Sequence, residues 1–333
     1  MAIATTTPTA ALDGVWTNVY ILRKFVEMLK EELVYAKFSE PATIPKQMGG
    51  YVARWNIPQS FQGSTNVITE ASAGTVGELT STTISSVEST INTYGQFMKI
   101  GELAKASMIE GTMDVFVEQF SHAGAFAIDS LLQTAADGTT NFLHSGDTAS
   151  GGATLTTSDT ATLHDFNAIA GFFYGQNARG FKMLGNDFVW IMHPEQEVDL
   201  TTEFNSSANT WADAHVSNDP GYKQLVDNHR IVGRFGSVTG IRTTVIGDAA
   251  EDITTAYKSF ALAKYGLGWA GLAERGPAAP SIIRKTPGKN DTSQPMNLYD
   301  TLAWKVKLAA ANLDASRVLK VYSCDNSVVG QTP

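Results

Sequence analysis

Residues 63–93 read GSTNVITEASAGTVGELTSTTISSVESTINT, and fourteen of them are Ser or Thr. The run sits inside a longer stretch, residues 55–98, that holds no Lys or Arg. Its first half offers almost nothing to fill a core, and Gly63, Gly74 and Gly77 interrupt regular packing. Such a segment cannot bury enough apolar surface to offset an ordering entropy of roughly 1–2 kcal/mol per residue. Its Thr, Val and Ile content nevertheless suits extended backbone. A helix-period segment, Ile100 to Leu132, follows at once. A long polar β-arm joined to a long helix makes poor sense in a lone globule. It makes good sense in a subunit whose arm is completed by its neighbours.

Outward from the arm, Tyr51 to Ile57 alternates as a strand, and Leu79 to Met98 is extended again, with Val87, Ser89 and Ile91 on one face. Together they predict one long hairpin with its tip near residues 63–77. Before it, a helix is expected from Asp13, the N-cap, to Phe38, ended by Ser39-Glu40-Pro41. Its seam of Val15, Val19, Leu22, Val26, Leu29 and Leu33 suits a coiled coil or docking on a sheet or helix. After it, a helix is expected over 102–136, with Ile109, Met113, Phe116, Phe120, Ala123, Ala127 and Leu131 on one stripe and a bend at Gly111. Residues 137–160 read as loop. From Leu163 the pattern is α/β: a helix carrying Phe166, Ile169 and Phe173, a buried strand 188–192, and a helix 195–204. A loop or lid follows over 205–228, then strands within 230–246. A strand pair is expected within 259–272. The last two strands, 302–309 and 317–322, read as a hairpin turning near 312–315.

The 333-residue chain is 43% hydrophobic and only 17% charged, against the usual ~25%. A charge-poor surface fits either an ordinary Ser/Thr-rich exterior or burial in subunit contacts, where charge is depleted. The net charge of −9 is uneven. Residues 1–105 carry 8 basic and 9 acidic side chains, residues 106–222 carry 2 and 15, and residues 223–333 carry 14 and 9. That asymmetry can set register between subunits in head-to-tail contact. No basic stripe with interleaved aromatics points to nucleic-acid reading as the main task. One cysteine, Cys324, excludes a disulfide framework and a cysteine metal site. The start resembles no signal peptide, and no run of about 18 apolar residues spans a membrane. A reducing cytoplasm is the expected place of synthesis.

Catalytic patterns are weak. Gly266-Leu-Gly-Trp-Ala-Gly271 matches the dinucleotide fingerprint, but Glu274-Arg-Gly-Pro277 leaves no room for the helix that would receive a pyrophosphate, so a bulged strand is the competing reading. The six histidines form no ligand pair; His193, followed by Glu195, reads either as a ligand or as a helix-start residue. Glu110 and Asp114 lie one turn apart as a carboxylate pair or, with Glu118 and Asp129, as a solvated acidic face. No catalytic, cofactor-binding or metal site is expected, and no enzyme activity.

Several strings carry a resemblance. Tyr20-Ile-Leu-Arg-Lys-Phe-Val-Glu-Met-Leu-Lys, Val34-Tyr-Ala-Lys-Phe, Ile44-Pro-Lys, Thr69-Glu-Ala71 and Tyr94-Gly95 resemble the opening and hairpin of the coliphage N-four-like capsid family. Gly233-Arg-Phe-Gly-Ser-Val-Thr-Gly-Ile-Arg-Thr-Thr-Val245, Trp304-Lys305 and Ala309-Ala-Ala-Asn-Leu313 resemble its later passages. The order of these strings resembles tailed-bacteriophage major capsid proteins of the HK97-like (Hong Kong 97-type) α+β fold. The resemblance implies an N-terminal arm (1–47), an extended hairpin or E-loop (48–98), a spine helix and peripheral domain (99–160), an axial domain (161–295), and a closing β-hairpin with tail (296–333). It implies self-assembly into hexamers and pentamers of an icosahedral shell around double-stranded DNA, held without sequence specificity. Portal, a separate scaffolding protein and a decoration protein are the implied partners, with no membrane; the implied place is the virion, assembled in the host cytoplasm. Some such proteins form Lys–Asn cross-links; the lysine-free tip implies non-covalent fastening. An encapsulin shell, an enzyme with 205–228 as a lid, and a phage tail-tube protein are the competing functions.

Overall fold

The computed structural model describes residue 25 and residues 32–44, 51–58, 84–101, 112–146, 159–206, 230–248, 256–272, 281–285 and 299–324. Fourteen-residue strand β13 (Tyr299–Asn312) organises the first sheet. Its inward residues alternate: Leu302, Trp304, Val306 and Leu308 are buried while Lys305 faces out. One edge pairs antiparallel with β4 (Asn92–Gly101) along ten residues. The other pairs with β12 (Ser281–Lys285) and then β11 (Leu267–Leu272). Strand β1 (Glu40–Ile44) adds in parallel to β11. Gly95 allows β4 to lie so close, because a Cβ there would stand 2.3 Å from the Trp304 carbonyl oxygen.

The second sheet has the order β5-β14-β10-β6-β8-β7, with β9 (Gly247–Asp248) on β10. Its strands are β5 (Phe142–His144), β6 (Phe188–Met192), β7 (Ile231–Phe235), β8 (Val238–Arg242), β10 (Ala256–Leu262) and β14 (Val318–Cys324). Every residue of β6 is buried. Helix α2 (Leu163–Gly175) covers one face through Phe166, Ile169 and Phe173, with Phe166 edge-on to Trp190 at 4.9 Å. The Asp165 carboxylate accepts from the Thr162 backbone N–H at 2.8 Å and closes the first turn. Helix α3 (Pro194–Ser206) follows β6 with proline at its first position. Helix α1 (Thr112–Ala136) packs between the two sheets and residues 33–38, joining them in one core.

The hairpin is present at its base. Strands β2 (Val52–Pro58) and β3 (Ile84–Thr90) pair antiparallel with Trp55 opposite Val87, while the tip, 59–83, lies outside the described residues. The return strand then leaves β2 at Ile91 and runs on as β4 to Gly101. Five expectations need correction. The N-terminal helix does not continue to Phe38: Glu32 is helical, Tyr35–Phe38 form a 3-10 turn, and β1 follows. The strand pair expected within 259–272 is a crossover, since β10 and β11 belong to different sheets. For the same reason β13 and β14 are no hairpin; the turn at Asp314 passes the chain between sheets. The loop expected over 137–160 contains β5, parallel to β14. The fully buried stripe of α1 is Val117, Ser121, Ala125, Ile128 and Leu132, while Phe116, Phe120 and Leu131 are half-buried. Two polar residues, Ser121 and Asp129, sit on the buried face and disguise it. Residues 102–111, with Gly111, the seam of the first helix before Leu33 and the 207–229 part of the lid lie outside the described residues.

Candidate assembly surfaces

The hairpin base is seated on a floor of small residues. Ala53, Trp55 and Ile91 pack on Ala270, Ala309, Ala311 and Leu313. Alanines let a two-stranded ribbon lie down closely, and Leu313 in turn fills the space over Gly268, where a Cβ would stand 2.8 Å from it. The Ser89 hydroxyl donates to the Ala310 carbonyl at 2.9 Å. On the outer face Arg54 and Glu88 pair at 3.4 Å in open solvent, a contact that contributes at most ~1 kcal/mol. Tyr51 and Val52 are exposed beside it. The ribbon is therefore held at its root and presents a mostly polar outer face.

The amino-terminal segment is latched to α1 by buried polar groups. Asp129 accepts from the Val34 N–H at 2.7 Å and the Ala36 N–H at 3.4 Å, capping the 3-10 turn. Ser121 donates to the Phe25 carbonyl at 3.1 Å. Burial raises the Asp129 carboxyl to about 7, against the lowering effect of those backbone donors and the Arg230 charge. The Tyr35 hydroxyl is pushed well up by burial and by Asp129. Asp129 was expected on a solvated acidic face; it is instead the polar latch that holds residues 34–36 to α1. Its position one turn from Ala125 and Ile128–Leu132 was the signal available in the sequence, obscured because a lone Asp on a helix normally faces water.

The residues suspected of chemistry do not converge. His193 stacks on Tyr257 at 4.3 Å, and Glu195 receives the Tyr257 hydroxyl and lies 3.6 Å from His193. The His193 N–H is bonded by Gln196 at 2.8 Å, so the start of α3 is a cap. Gln196, Ser259, Ser323 and Trp190 form one buried hydrogen-bonded chain beneath it. His144 belongs to an aromatic group with Phe142 and Tyr322, and His122 pairs with Glu32 at 2.8 Å. Glu118 is exposed on α1; Glu110 and the Asp114 side chain lie outside the described residues. The G-x-G-x-x-G string forms β11, in unbroken register with β1 and over 267–270 with β13, so it is a strand without a bulge. No cluster that could hold a metal occurs among the described residues.

No protein-family profile and no curated protein matches the chain. Its fold, however, is similar to that of the capsid of Ralstonia phage GP4, with a TM-score of 0.67 and 13% identity over 90% of this chain and 93% of that one. It is similar to the cyanophage Pam1 capsid subunit at TM-score 0.56 and 12% identity, over 88% and 92%. The SrpI encapsulin of Synechococcus elongatus is similar at TM-score 0.51 and 9% identity, over 90% and 89%. The class is thereby defined: the chain has the HK97-like capsid-protein fold, mixed α/β with few helices and many strands. At these identities the likeness is one of fold, and the neighbours are shell proteins rather than enzymes.

Proposed function

We propose that the chain is the major capsid protein of a tailed phage, forming hexamers and pentamers of an icosahedral shell around double-stranded DNA. The observation that carries this reading is end-to-end correspondence with the GP4 phage capsid: 90% of this chain against 93% of that one. The seated hairpin supports it, because a ribbon rooted on Ala270, Ala309 and Ala311 is a device for reaching beyond its own core. In this reading 48–98 is the extended loop, α1 the spine helix, the β13 sheet the peripheral domain and the β6–β10 sheet the axial domain. Residues 1–47 form the arm, and 296–333 enter the peripheral domain through β13 before returning to the axial sheet. Within this reading, the N-four-like phage capsids are the group proposed from the strings that resemble theirs. Portal and a separate scaffolding protein are its partners, a decoration protein a further one, in virions assembled in the host cytoplasm.

A second reading is an encapsulin-type compartment, favoured by the fold similarity to SrpI. One experiment separates them. The full chain, expressed alone and with a scaffolding protein, is imaged by negative stain. Shells that package DNA in the presence of a portal support the phage reading; small closed shells holding a protein cargo support the second. Monomers under every condition refute both.

A further inference from the structure

One end of the axial sheet gathers positive charge that the linear sequence scatters. Strands β6, β8 and β14 begin there and β10 ends there, since Leu262 lies opposite both Val189 and Val318, and Phe188 lies beside Val238. The loops at this end span residues 176–187, 236–237, 263–266 and 313–317. They carry Arg179, Lys182, Lys264 and Arg317 against Asp187 and Asp314. Both carboxylates are engaged, Asp314 with Arg317 at 2.9 Å and Asp187 with Arg234 of β7 at 2.9 Å. Among the described residues no carboxylate pairs with Arg179, Lys182 or Lys264. Arg179 and Lys182 are also the two basic side chains of residues 106–222, against 15 acidic ones, so an otherwise acidic block places its cations here.

The loops are fixed to one another through the backbone. The Lys264 N–H donates to the Arg179 carbonyl at 2.9 Å, the Arg317 guanidinium to the Lys264 carbonyl at 3.1 Å, and the Ala263 N–H to the Arg317 carbonyl at 3.0 Å. Tyr265 is exposed, with the Lys264 ammonium 4.6 Å and the Arg317 guanidinium 5.8 Å from its ring centre. Tyr174 is exposed where α2 enters the first of these loops, edge-on to Phe188 at 5.2 Å. Backbone strain concentrates at the same place. Asn177 at φ 51°, Asn186 at φ 72° and Tyr265 at φ 66° are the positive-φ residues other than glycine in the described chain, and all three lie in these loops. Strain of this kind persists at sites that hold side chains in a set arrangement for a ligand.

We propose that this end of the axial sheet is a contact for the phosphodiester backbone of duplex DNA, with Arg179, Lys182 and Lys264 as its phosphate-facing cations and Arg317 as the residue that positions Lys264 and Tyr265. This rests on the shell reading, which supplies the DNA. Arg and Lys with Tyr and Asn between them are the side chains that meet phosphate and sugar without reading sequence. A duplex repeats its charge on a stiff surface, so cations already held by backbone bonds meet it with little further ordering. The chain carries −9 overall, so its remaining surface repels the same duplex and confines contact to this end. No string in the sequence shows the patch, because its cations come from three loops that only the sheet brings together.

The test measures binding of the unassembled full chain to a short random-sequence DNA duplex by fluorescence anisotropy over a salt series. Arg179→Gln with Lys264→Gln is expected to weaken binding about tenfold or more at low salt and to reduce the slope of log affinity against log salt by about two. Lys285→Gln with Lys305→Gln removes the same charge from exposed positions on the other sheet and leaves both quantities near those of the parent. Circular dichroism and melting temperature confirm that each variant is folded. A second measurement needs no variant: the duplex shields Lys182 and Lys264 of the unmodified protein from acetylation, and leaves Lys285 and Lys305 reactive. Equal weakening by the two variants, or equal reactivity of all four lysines, overturns the proposal. Poly-glutamate that binds the corner as tightly as the duplex overturns it in favour of an acidic protein partner. Shells seen by negative stain from a chain that binds no duplex overturn this proposal alone, whereas a chain that forms no shells under any condition overturns the shell reading as well.

Discussion

Replacing Asp129 by Asn should remove a pH dependence from the subunit's stability. The Asp129 carboxyl lies fully buried between α1 and the 3-10 turn, and burial raises it from 3.8 to about 7. In the unfolded chain it titrates near 3.8, so between these values the folded state holds a proton that the unfolded state has lost. Stability from this group is therefore complete below about pH 4, declines as pH rises and levels off above about pH 7. About three pH units at ~1.4 kcal/mol each amount to a few kcal/mol. Asn retains an oxygen to accept the Val34 N–H but carries no charge. The variant should gain stability relative to the parent from pH 4.5 to 7.5 and run parallel to it above. Asp137, held below the usual carboxylate range by Lys258 and Lys320 despite the opposing effect of partial burial, changes stability only below about pH 4 and does not mask the difference. Urea unfolding of the unassembled subunit at a series of pH values measures it. Equal pH slopes for the parent and Asp129→Asn would refute the buried-latch reasoning. A steeper slope in the variant would refute the sign.

Trp55→Ala strips the largest side chain from the hairpin seat and should cost about 3–5 kcal/mol of local packing, seen as faster amide exchange in β2 and β3 with β6 and β10 unchanged. Gly95→Val forces a Cβ to 2.3 Å from the Trp304 carbonyl and should abolish soluble subunit, whereas the same change at exposed, uncrowded Gly171 should only lower the melting temperature modestly; equal behaviour would contradict the close β4–β13 approach. Deleting residues 63–77 should leave a folded subunit, judged by circular dichroism, that makes no stable shells under electron microscopy. Normal shells from that deletion would sink the idea that the arm fastens neighbours.

Much was legible locally. The alternation in Tyr51–Ile57, the all-apolar Phe188–Met192 run, Pro194 at a helix start and the apolar side of α2 all follow from periods of two and 3.6 and from proline's fixed φ. Partnership between distant segments was not legible. Leu267–Leu272 and Phe260–Leu262 look like one hairpin because sequence neighbours usually pair, yet a positive-φ Tyr265 sends them to different sheets. Strands β13 and β14 mislead in the same way across Asp314.

The sequence by itself determined that the chain is charge-poor, that residues 55–98 hold no Lys or Arg, and that a long helix follows extended strands. These depend on composition and period, which need no knowledge of neighbours. Only the tertiary structure decided that Asp129 faces inward, because a carboxylate is accommodated there by backbone N–H groups such as those of Val34 and Ala36, 95 and 93 positions away.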